Sequence, residues 1–203
     1  MNARKIGGLY AITADHDAKI VENVEQAVSG GATIVQYRDK SSTSRQKLLI
    51  SHKLKEICKG KALFIINDDV DLALAVDADG VHLGEDDEAL EVVRNRLGPK
   101  IIGVSCYNKL QNAITAEKLG ADYVAFGRFF TSDTKPAAIQ ADLDLIKYAK
   151  QKLTIPVVGI GGITLENAGE LIDKGVDAVA TVNGLFRTSD IKSTAQKFNK
   201  LFK

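Results

Sequence analysis

Residues 62–83, ALFIINDDVDLALAVDADGVHL, contain two short apolar runs on either side of a segment long enough for a helix. The first run, 62–66, is rich in β-branched and aromatic side chains, and the second, 80–83, contains Val81 and Leu83. Short runs of this kind that alternate with helical segments indicate βα units, in which successive strands lie parallel. The stretch therefore predicts neighbouring parallel strands in an α/β protein.

The same alternation extends along the chain in both directions and occurs eight times. Most of the runs are apolar throughout, as expected for strands that are covered on both faces. The intervening segments carry apolar residues every three or four positions, such as Ile20, Val24 and Ala27, which predicts one-sided helices. The predicted strands are 9–13, 33–37, 62–66, 80–83, 101–104, 123–126, 157–160 and 178–182.

Eight βα units predict one (β/α)8 TIM barrel that spans residues 1–203 as a single catalytic domain. A doubly wound open sheet is the alternative architecture for the same alternation. A length of 203 residues is short for two independent domains, which favours one domain under either architecture.

The amino-acid composition limits the kinds of molecule that the protein is expected to bind. The chain has 45% apolar and 26% charged residues, and its 27 basic residues nearly balance its 26 acidic ones. This balance predicts no nucleic-acid surface, so small-molecule substrates are expected, bound by a local cluster of charges. No apolar run reaches the roughly 18 residues that a membrane span needs, and we expect no membrane association and a cytoplasmic location. The sequence does not specify the oligomeric state and allows a homo-oligomer.

In a parallel barrel, active-site residues gather where strands end and loops begin. After the second predicted strand, Gln36, Arg38 and Lys40 lie two residues apart, so an extended chain would project them to one side. Two cations and an amide there suit a polyphosphate. A solvated strand end with ordinary surface charges is the alternative, and the spacing does not decide between them.

Carboxylates follow the third and fourth predicted strands. Asp68 and Asp87 would be brought together by neighbouring barrel strands, and two carboxylates suit one Mg²⁺ whose other ligands are waters and phosphates. The alternative for Asp86 and Asp87 is that they cap the helix predicted after them. This alternative is favoured for Asp86 and stays open for Asp87.

The last three strands are followed by hydroxyl- and glycine-rich segments. Thr134 and Lys135, in the long loop FTSDTKP (130–136), are predicted to hold phosphate oxygens, and the loop itself to close over the site. The turn VGIGGIT (158–164) and the segment VNGL (182–185) match the phosphate site that barrels build after strands seven and eight. We expect Thr164 to begin a helix.

Ser105 follows the fifth predicted strand but has no nucleophile-elbow motif or Ser-His-Asp order around it. Covalent serine catalysis is therefore not predicted. His82 is expected to pack or to form hydrogen bonds within the barrel mouth rather than to bind a metal.

Six segments of the chain together resemble thiamine phosphate synthases in their order and spacing. They are VQYRDK (35–40), IINDD (65–69), HLGEDD (82–87), GVS (103–105), FTSDTKP and VGIGGIT. The resemblance covers nearly the whole chain and implies a (β/α)8 barrel. It also implies a Mg²⁺-dependent transferase that joins hydroxymethylpyrimidine diphosphate to thiazole phosphate and releases pyrophosphate by a dissociative mechanism.

The resemblance also implies roles for individual residues. Arg38, Ser105 and Lys135 would act in catalysis. Asp68 and Asp87 would hold one Mg²⁺ per subunit. The pyrimidine diphosphate would be bound by Gln36, Arg38, Lys40, Asn67 and Lys135, with Ser105 on its pyrophosphate. The thiazole phosphate would be bound by Ser132, Thr134, Gly162, Val182 and Asn183.

Several positions depart from the pattern of this family, namely Glu85, Arg128, Thr131, Ser132 and Asn183. Most of them fall on the thiazole-phosphate side, and the residues predicted for metal and diphosphate are intact. A thiazole tautomerase of the same fold and a non-catalytic thiamine-phosphate sensor are alternative functions. Retention of the complete diphosphate and metal set argues against the first, and the lack of a DNA-binding segment argues against the second.

Overall fold

The computed structural model, which describes residues 6–15, 17–131 and 139–202, is a closed barrel of eight parallel strands. Each strand pairs with the next in sequence, and β8 pairs with β1, so the predicted TIM barrel is confirmed and the open sheet is wrong. The strands are β1 (Gly8–Ile12), β2 (Ile34–Tyr37), β3 (Leu63–Asn67), β4 (Gly80–Leu83), β5 (Ile101–Tyr107), β6 (Tyr123–Phe126), β7 (Val157–Ile160) and β8 (Ala178–Thr181).

Helices cover the outside of the barrel. In the first of them, Ile20, Val24, Ala27 and Val28 are buried, as their spacing predicts. The helices are α1 (Ile20–Ser29), α2 (Ser44–Cys58), α3 (Val70–Ala75), α4 (Leu90–Leu97), α5 (Leu110–Lys118), α6 (Asp144–Lys152), α7 (Ala168–Asp173), α8 (Asn183–Phe186) and α9 (Ile191–Lys200). No helix among these residues is long and apolar enough to cross a membrane.

Side chains fill the barrel interior. One core cluster, which includes Ile34, Ile65 and Val158, joins residues that point inward from different strands. Two tyrosines, Tyr10 from β1 and Tyr123 from β6, belong to the same cluster and are almost completely buried. A filled interior restricts ligand access to the ends of the strands.

The amino ends of three strands are held by one repeated arrangement. An aspartate just before each strand accepts a hydrogen bond from the backbone N–H of a neighbouring strand and pairs with a basic side chain of a helix. The aspartate and its basic partner are Asp79 with Lys55, Asp122 with Arg94, and Asp177 with Lys150. This end of the barrel is therefore built for stability, which leaves the opposite end for ligands.

Two local expectations are wrong. The helix after β7 begins at Ala168 rather than at Thr164, because Asn167 Oδ1 accepts from Thr164 N–H and Thr164 O accepts from Ala168 N–H in a preceding turn. Neither Asp86 nor Asp87 caps α4, since its N-cap is Ala89 and no side chain bonds to its first turn.

Candidate active site

A cavity of about 530 Å³ opens at the carboxyl ends of the strands. Residues that end or follow each of the eight strands line it, as the barrel architecture predicts. Seven predicted site residues are among them: Gln36, Arg38, Asn67, Ser105, Gly162, Val182 and Asn183.

The three alternating residues after β2 reach different depths. Gln36 is 2% exposed and its side chain turns into the barrel interior, whereas the Lys40 side chain is 61% exposed. Arg38 lies between them, with its side chain 23% exposed and lining the cavity. The prediction that these three side chains share one side of an extended strand is therefore only partly right, because β2 ends at Tyr37.

Arg38 is oriented by Asp15, a residue in the loop after β1. Its Nη1 lies 3.0 Å from Asp15 Oδ2, and Asp15 Oδ1 accepts from the Lys40 backbone N–H at 2.6 Å. Burial acts to raise the pKa of Asp15, but the hydrogen bonds from Lys40 N–H and Arg38 outweigh it and lower that pKa. Asp15 thus stays ionised and holds the segment that carries both predicted cations.

Asp68 and Asp87 are in contact, as predicted from their places after β3 and β4. Their carboxyl groups are close enough to hydrogen-bond, and Lys40 Nζ lies 3.2 Å from Asp68 Oδ2. Burial, and then the neighbouring Asp87, raise the pKa of Asp68. Asp87 also accepts a hydrogen bond from Gly84 N–H, which fixes its position.

This carboxylate pair fits a hard divalent cation. Two acidic groups in contact repel each other when both are ionised, and a cation between them would remove that repulsion. In the part of the chain that the structure describes, no third His, Cys or acidic side chain completes a metal cluster. Two protein carboxylates are nevertheless what Mg²⁺ takes when waters and substrate phosphates supply its other ligands.

Ser105 contacts a histidine. Its Oγ lies 2.9 Å from Nε2 of His82, whose Nδ1 lies 2.9 Å from the hydroxyl of Tyr123. The prediction that His82 forms hydrogen bonds in the barrel mouth is therefore confirmed. Because Nδ1 of His82 contacts a tyrosine hydroxyl rather than a carboxylate, Ser105, His82 and Tyr123 do not form a Ser-His-Asp triad.

The glycine turn after β7 is closely packed. Gly162 has φ +67°, and a Cβ there would come within 2.2 Å of Thr131 O, so only glycine fits. Beside this turn, Asn183 begins the short helix α8, and Thr181 Oγ1 donates to Ile163 O at 2.9 Å. The segments after β7 and β8 thus form one surface of the cavity, where a phosphate site is predicted.

Three predicted site residues, Ser132, Thr134 and Lys135, lie outside the described residues, as does most of the loop that carries them. The proposed closing function of that loop therefore stays a prediction.

Sequence reasoning missed several residues of this site. Asp15 could have been found by the rule applied to the other strands, because it follows β1 as Asp68 follows β3. Arg128, noted from the sequence only as a departure from the family pattern, follows β6 and lines the cavity. Arg187 also lines the cavity but follows the helix α8, so the strand-end rule does not indicate it. Tyr10 and Tyr123 gave no signal, since each stands within an apolar strand.

A closed barrel whose polar cavity lies at the carboxyl ends of its strands has the architecture of TIM-barrel enzymes. The sequence model of a family described as thiamine monophosphate synthase matches residues 9–185. The chain belongs to this family, whose named members are transferase enzymes.

Individual relatives agree over the full length. The chain is 47% identical over 206 residues to the thiamine-phosphate synthase of Nitrosomonas eutropha, with 100% of this chain and 97% of the relative covered. It is 48% identical to the thiamine-phosphate synthase of Nitrosospira multiformis, with 98% and 87% covered. Among solved structures, thiamine phosphate pyrophosphorylase from Pyrococcus furiosus superposes with a TM-score of 0.88 at 38% identity, with 99% and 98% covered.

Proposed function

We propose that this protein joins hydroxymethylpyrimidine diphosphate to thiazole phosphate, giving thiamine phosphate and pyrophosphate in a Mg²⁺-dependent reaction. The observation that carries the proposal is the contact of Lys40 with the carboxylate pair Asp68 and Asp87, on the same short segment that places Arg38 in the cavity. Cations beside a carboxylate pair suit a diphosphate bound together with a divalent metal. Membership of the thiamine monophosphate synthase family supports the same substrates.

The diphosphate is assigned to the β2–β5 side of the cavity. Arg38 offers a planar pair of N–H donors to phosphate oxygens, and Lys40 a single positive charge. Asn67 and Ser105 line the same cavity and are proposed to donate or accept hydrogen bonds at its floor. Lys135, outside the described residues, is proposed as a further cation for this group.

Asp68 and Asp87 are proposed to hold one Mg²⁺. Bound there, the ion supplies positive charge that stabilises the pyrophosphate as it leaves. Lys40, which contacts Asp68, would then be able to turn from that carboxylate to a phosphate oxygen. The carboxylates thus bind the metal and also set the position of a neighbouring cation.

The thiazole phosphate is assigned to the β7–β8 side. Backbone N–H groups of Gly162 and of the segment Val182–Asn183 are proposed to bind its oxygens, with Ser132 and Thr134 as hydroxyl donors. Arg187 lines this side and would add positive charge. This division places the two substrates next to each other across a single cavity.

The reaction is proposed to be dissociative. The carbon–oxygen bond of the pyrimidine diphosphate breaks first, the departing pyrophosphate keeps the electron pair, and the thiazole nitrogen then donates its own pair to the pyrimidine methyl cation. Arg38, Lys40 and Ser105 would stabilise charge on the leaving group, so no protein nucleophile is required. We further propose that residues 1–203 act as one catalytic domain in the cytoplasm, with small molecules as substrates.

The test is to incubate the purified protein with both substrates and Mg²⁺ and to measure thiamine phosphate and pyrophosphate. We expect equal amounts of the two products and loss of both when EDTA is added. Isomerisation of a thiazole precursor without condensation would favour the tautomerase instead. Tight binding of thiamine phosphate without turnover would favour the sensor, and either result would overturn the proposal.

A further inference from the structure

A chain of four hydrogen bonds, of which the first three are buried and the last is partly buried, crosses the barrel interior beneath the cavity. It runs from Gln36 through Tyr10, Tyr123 and His82 to Ser105, and thus joins β2 to β5 through β1, β6 and β4. The distances are 2.7 Å from Gln36 Nε2 to the Tyr10 hydroxyl, 2.7 Å between the two tyrosine hydroxyls, 2.9 Å from Tyr123 to His82 Nδ1, and 2.9 Å from His82 Nε2 to Ser105 Oγ.

The packing around this chain holds its members in place. The Tyr10 and Tyr123 rings meet edge to face with centroids 6.0 Å apart, and His82 stacks on Tyr123 at 5.6 Å. A Cβ at Gly103 would lie 1.9 Å from Tyr123 Cζ, so this glycine makes room for the Tyr123 ring. Burial raises the pKa of both tyrosines, and each hydroxyl therefore keeps one hydrogen to donate.

The donors and acceptors can be ordered from the Gln36 end. Gln36 Nε2 donates to Tyr10, so the single Tyr10 hydrogen is left for Tyr123, its other partner among the described residues. Tyr123 must then donate its own hydrogen to His82 Nδ1, which has to be unprotonated. The His82 proton accordingly lies on Nε2 and is donated to Ser105 Oγ.

This order of donors and acceptors affects the cavity through Ser105. Because Ser105 Oγ accepts from His82, its own hydrogen is available to an acceptor in the cavity that it lines. In the reverse order, Ser105 would donate to His82 and would have no hydrogen left for a ligand. The direction of these hydrogen bonds therefore decides whether Ser105 can donate a hydrogen bond to an anion.

We propose that this chain fixes His82 as its Nε2–H tautomer and so commits the Ser105 hydroxyl to donate a hydrogen bond to a phosphate oxygen in the cavity. Tyr10, Tyr123 and His82 are then positioning residues that act through Ser105. That the anion is the diphosphate of a substrate rests on the proposed function. The direction of the hydrogen bonds, from Gln36 to Ser105, does not.

The tautomer can be measured without substrate or variant. In ¹⁵N-labelled wild-type protein, held above the ordinary histidine pKa of about 6.5, nitrogen shifts and one-bond couplings identify the protonated ring nitrogen. The chain has three histidines, and with ¹³C labelling as well, through-bond correlations from each ring to its own backbone amide assign the His82 signals in the wild type. We expect the proton on Nε2; a proton on Nδ1 overturns the proposal, whether or not any variant folds.

A second experiment tests the action through Ser105, with pyrophosphate and Mg²⁺ as the probe in calorimetry. Tyr123→Phe removes the hydroxyl that holds His82, and Tyr148→Phe, on the exposed face of α6, is its matched control. We expect Tyr123→Phe to raise the pyrophosphate Kd about three- to tenfold, as for loss of one net hydrogen bond. Tyr148→Phe should bind as the wild type does.

Non-additivity separates a positioning role from a general structural one. Ser105→Ala removes the donor itself, so adding Tyr123→Phe to it should weaken binding no further. Independent losses in the double variant, or wild-type binding by folded Tyr123→Phe, would overturn the action through Ser105. If the wild type binds pyrophosphate in this pattern but forms no thiamine phosphate, the proposed function fails and this inference stands.

Discussion

Replacing Asp87 with asparagine removes one charge from the carboxylate pair and keeps the shape of the side chain. Asn retains an oxygen that can accept from Gly84 N–H, the bond that positions Asp87. The substitution also removes the like charge beside Asp68. We therefore expect the metal-free variant to fold, with its free energy of unfolding lowered by no more than about 0.5 kcal/mol.

The effect on metal use should be much larger. A hydrogen bond or ligand contact that involves a charged group is worth about 1.5 to 3 kcal/mol, and each factor of ten corresponds to about 1.4 kcal/mol. The Mg²⁺ concentration for half-maximal rate should therefore rise about tenfold to a hundredfold. At a fixed low Mg²⁺ concentration the loss should appear chiefly in kcat, with partial recovery as Mg²⁺ is raised.

The assay is thiamine phosphate formation against Mg²⁺ concentration, with urea unfolding in EDTA as the measure of stability. Asp86→Asn is the matched control, since Asp86 is an exposed neighbour that neither caps α4 nor contacts Asp68 in the described interactions. A wild-type Mg²⁺ dependence in Asp87→Asn would refute the reasoning and remove Asp87 from the proposed metal site. Equal losses in both variants would point to net charge rather than to coordination.

Three further substitutions test separate parts of the structure. Arg38→Ala should raise the KM for pyrimidine diphosphate by at least about tenfold, as for loss of a charged hydrogen bond, while the exposed Arg45→Ala leaves steady-state kinetics unchanged; equal KM values would exclude Arg38 from the site. Gly162→Ala should lower the free energy of unfolding by about 2 kcal/mol or more, because its Cβ would collide with Thr131 O at positive φ. Gly169→Ala, where a Cβ meets nothing within 4 Å, is the control in thermal melting, and matched melting temperatures would contradict the packing argument. Hydrogen bonds from Thr154 and the Ile155 N–H overcome the effect of burial and lower the pKa of Glu117. The wild type should therefore be more stable than Glu117→Gln by about 0.5 to 1 kcal/mol above the ordinary glutamate pKa of about 4.3, and this advantage should vanish as pH falls through the lowered pKa; a difference that is constant with pH would contradict it.

Local patterns were enough to predict the strands, because a strand that is covered on both faces must be apolar along its whole length. The predicted range 80–83 coincides with β4, and 123–126 coincides with β6. The end of β5 was missed, since β5 continues to Tyr107 through a register shift between Ser105 and Tyr107. An irregularity of pairing depends on the partner strand and leaves no periodic signal in its own.

Part of the candidate site could likewise be predicted from local sequence patterns, and part could not. Arg38, Asn67, Asp68 and Asp87 were predicted because they are polar residues at the ends of apolar strands, and the carboxyl ends of parallel strands meet at one edge. Asp15, which orients Arg38, was overlooked although it follows the same rule after β1. Its function is apparent only when its partner, 23 residues away in sequence, is seen beside it.

The sequence by itself therefore determined the number of βα units and the end of the sheet at which polar groups gather, since each follows from short-range periodicity. It favoured the barrel over an open sheet, but the pairing of β1 with β8 that closes the barrel is a tertiary contact. Only the tertiary structure decided that Asp68 contacts both Asp87 and Lys40, and that Tyr10 and Tyr123 are polar links in the interior rather than apolar filling. A tyrosine within a strand pattern contributes one ring to the core, and the pattern carries no information on where its hydroxyl ends. That position is set when strands distant in sequence close the barrel, because a buried hydroxyl must find its partner across the interior.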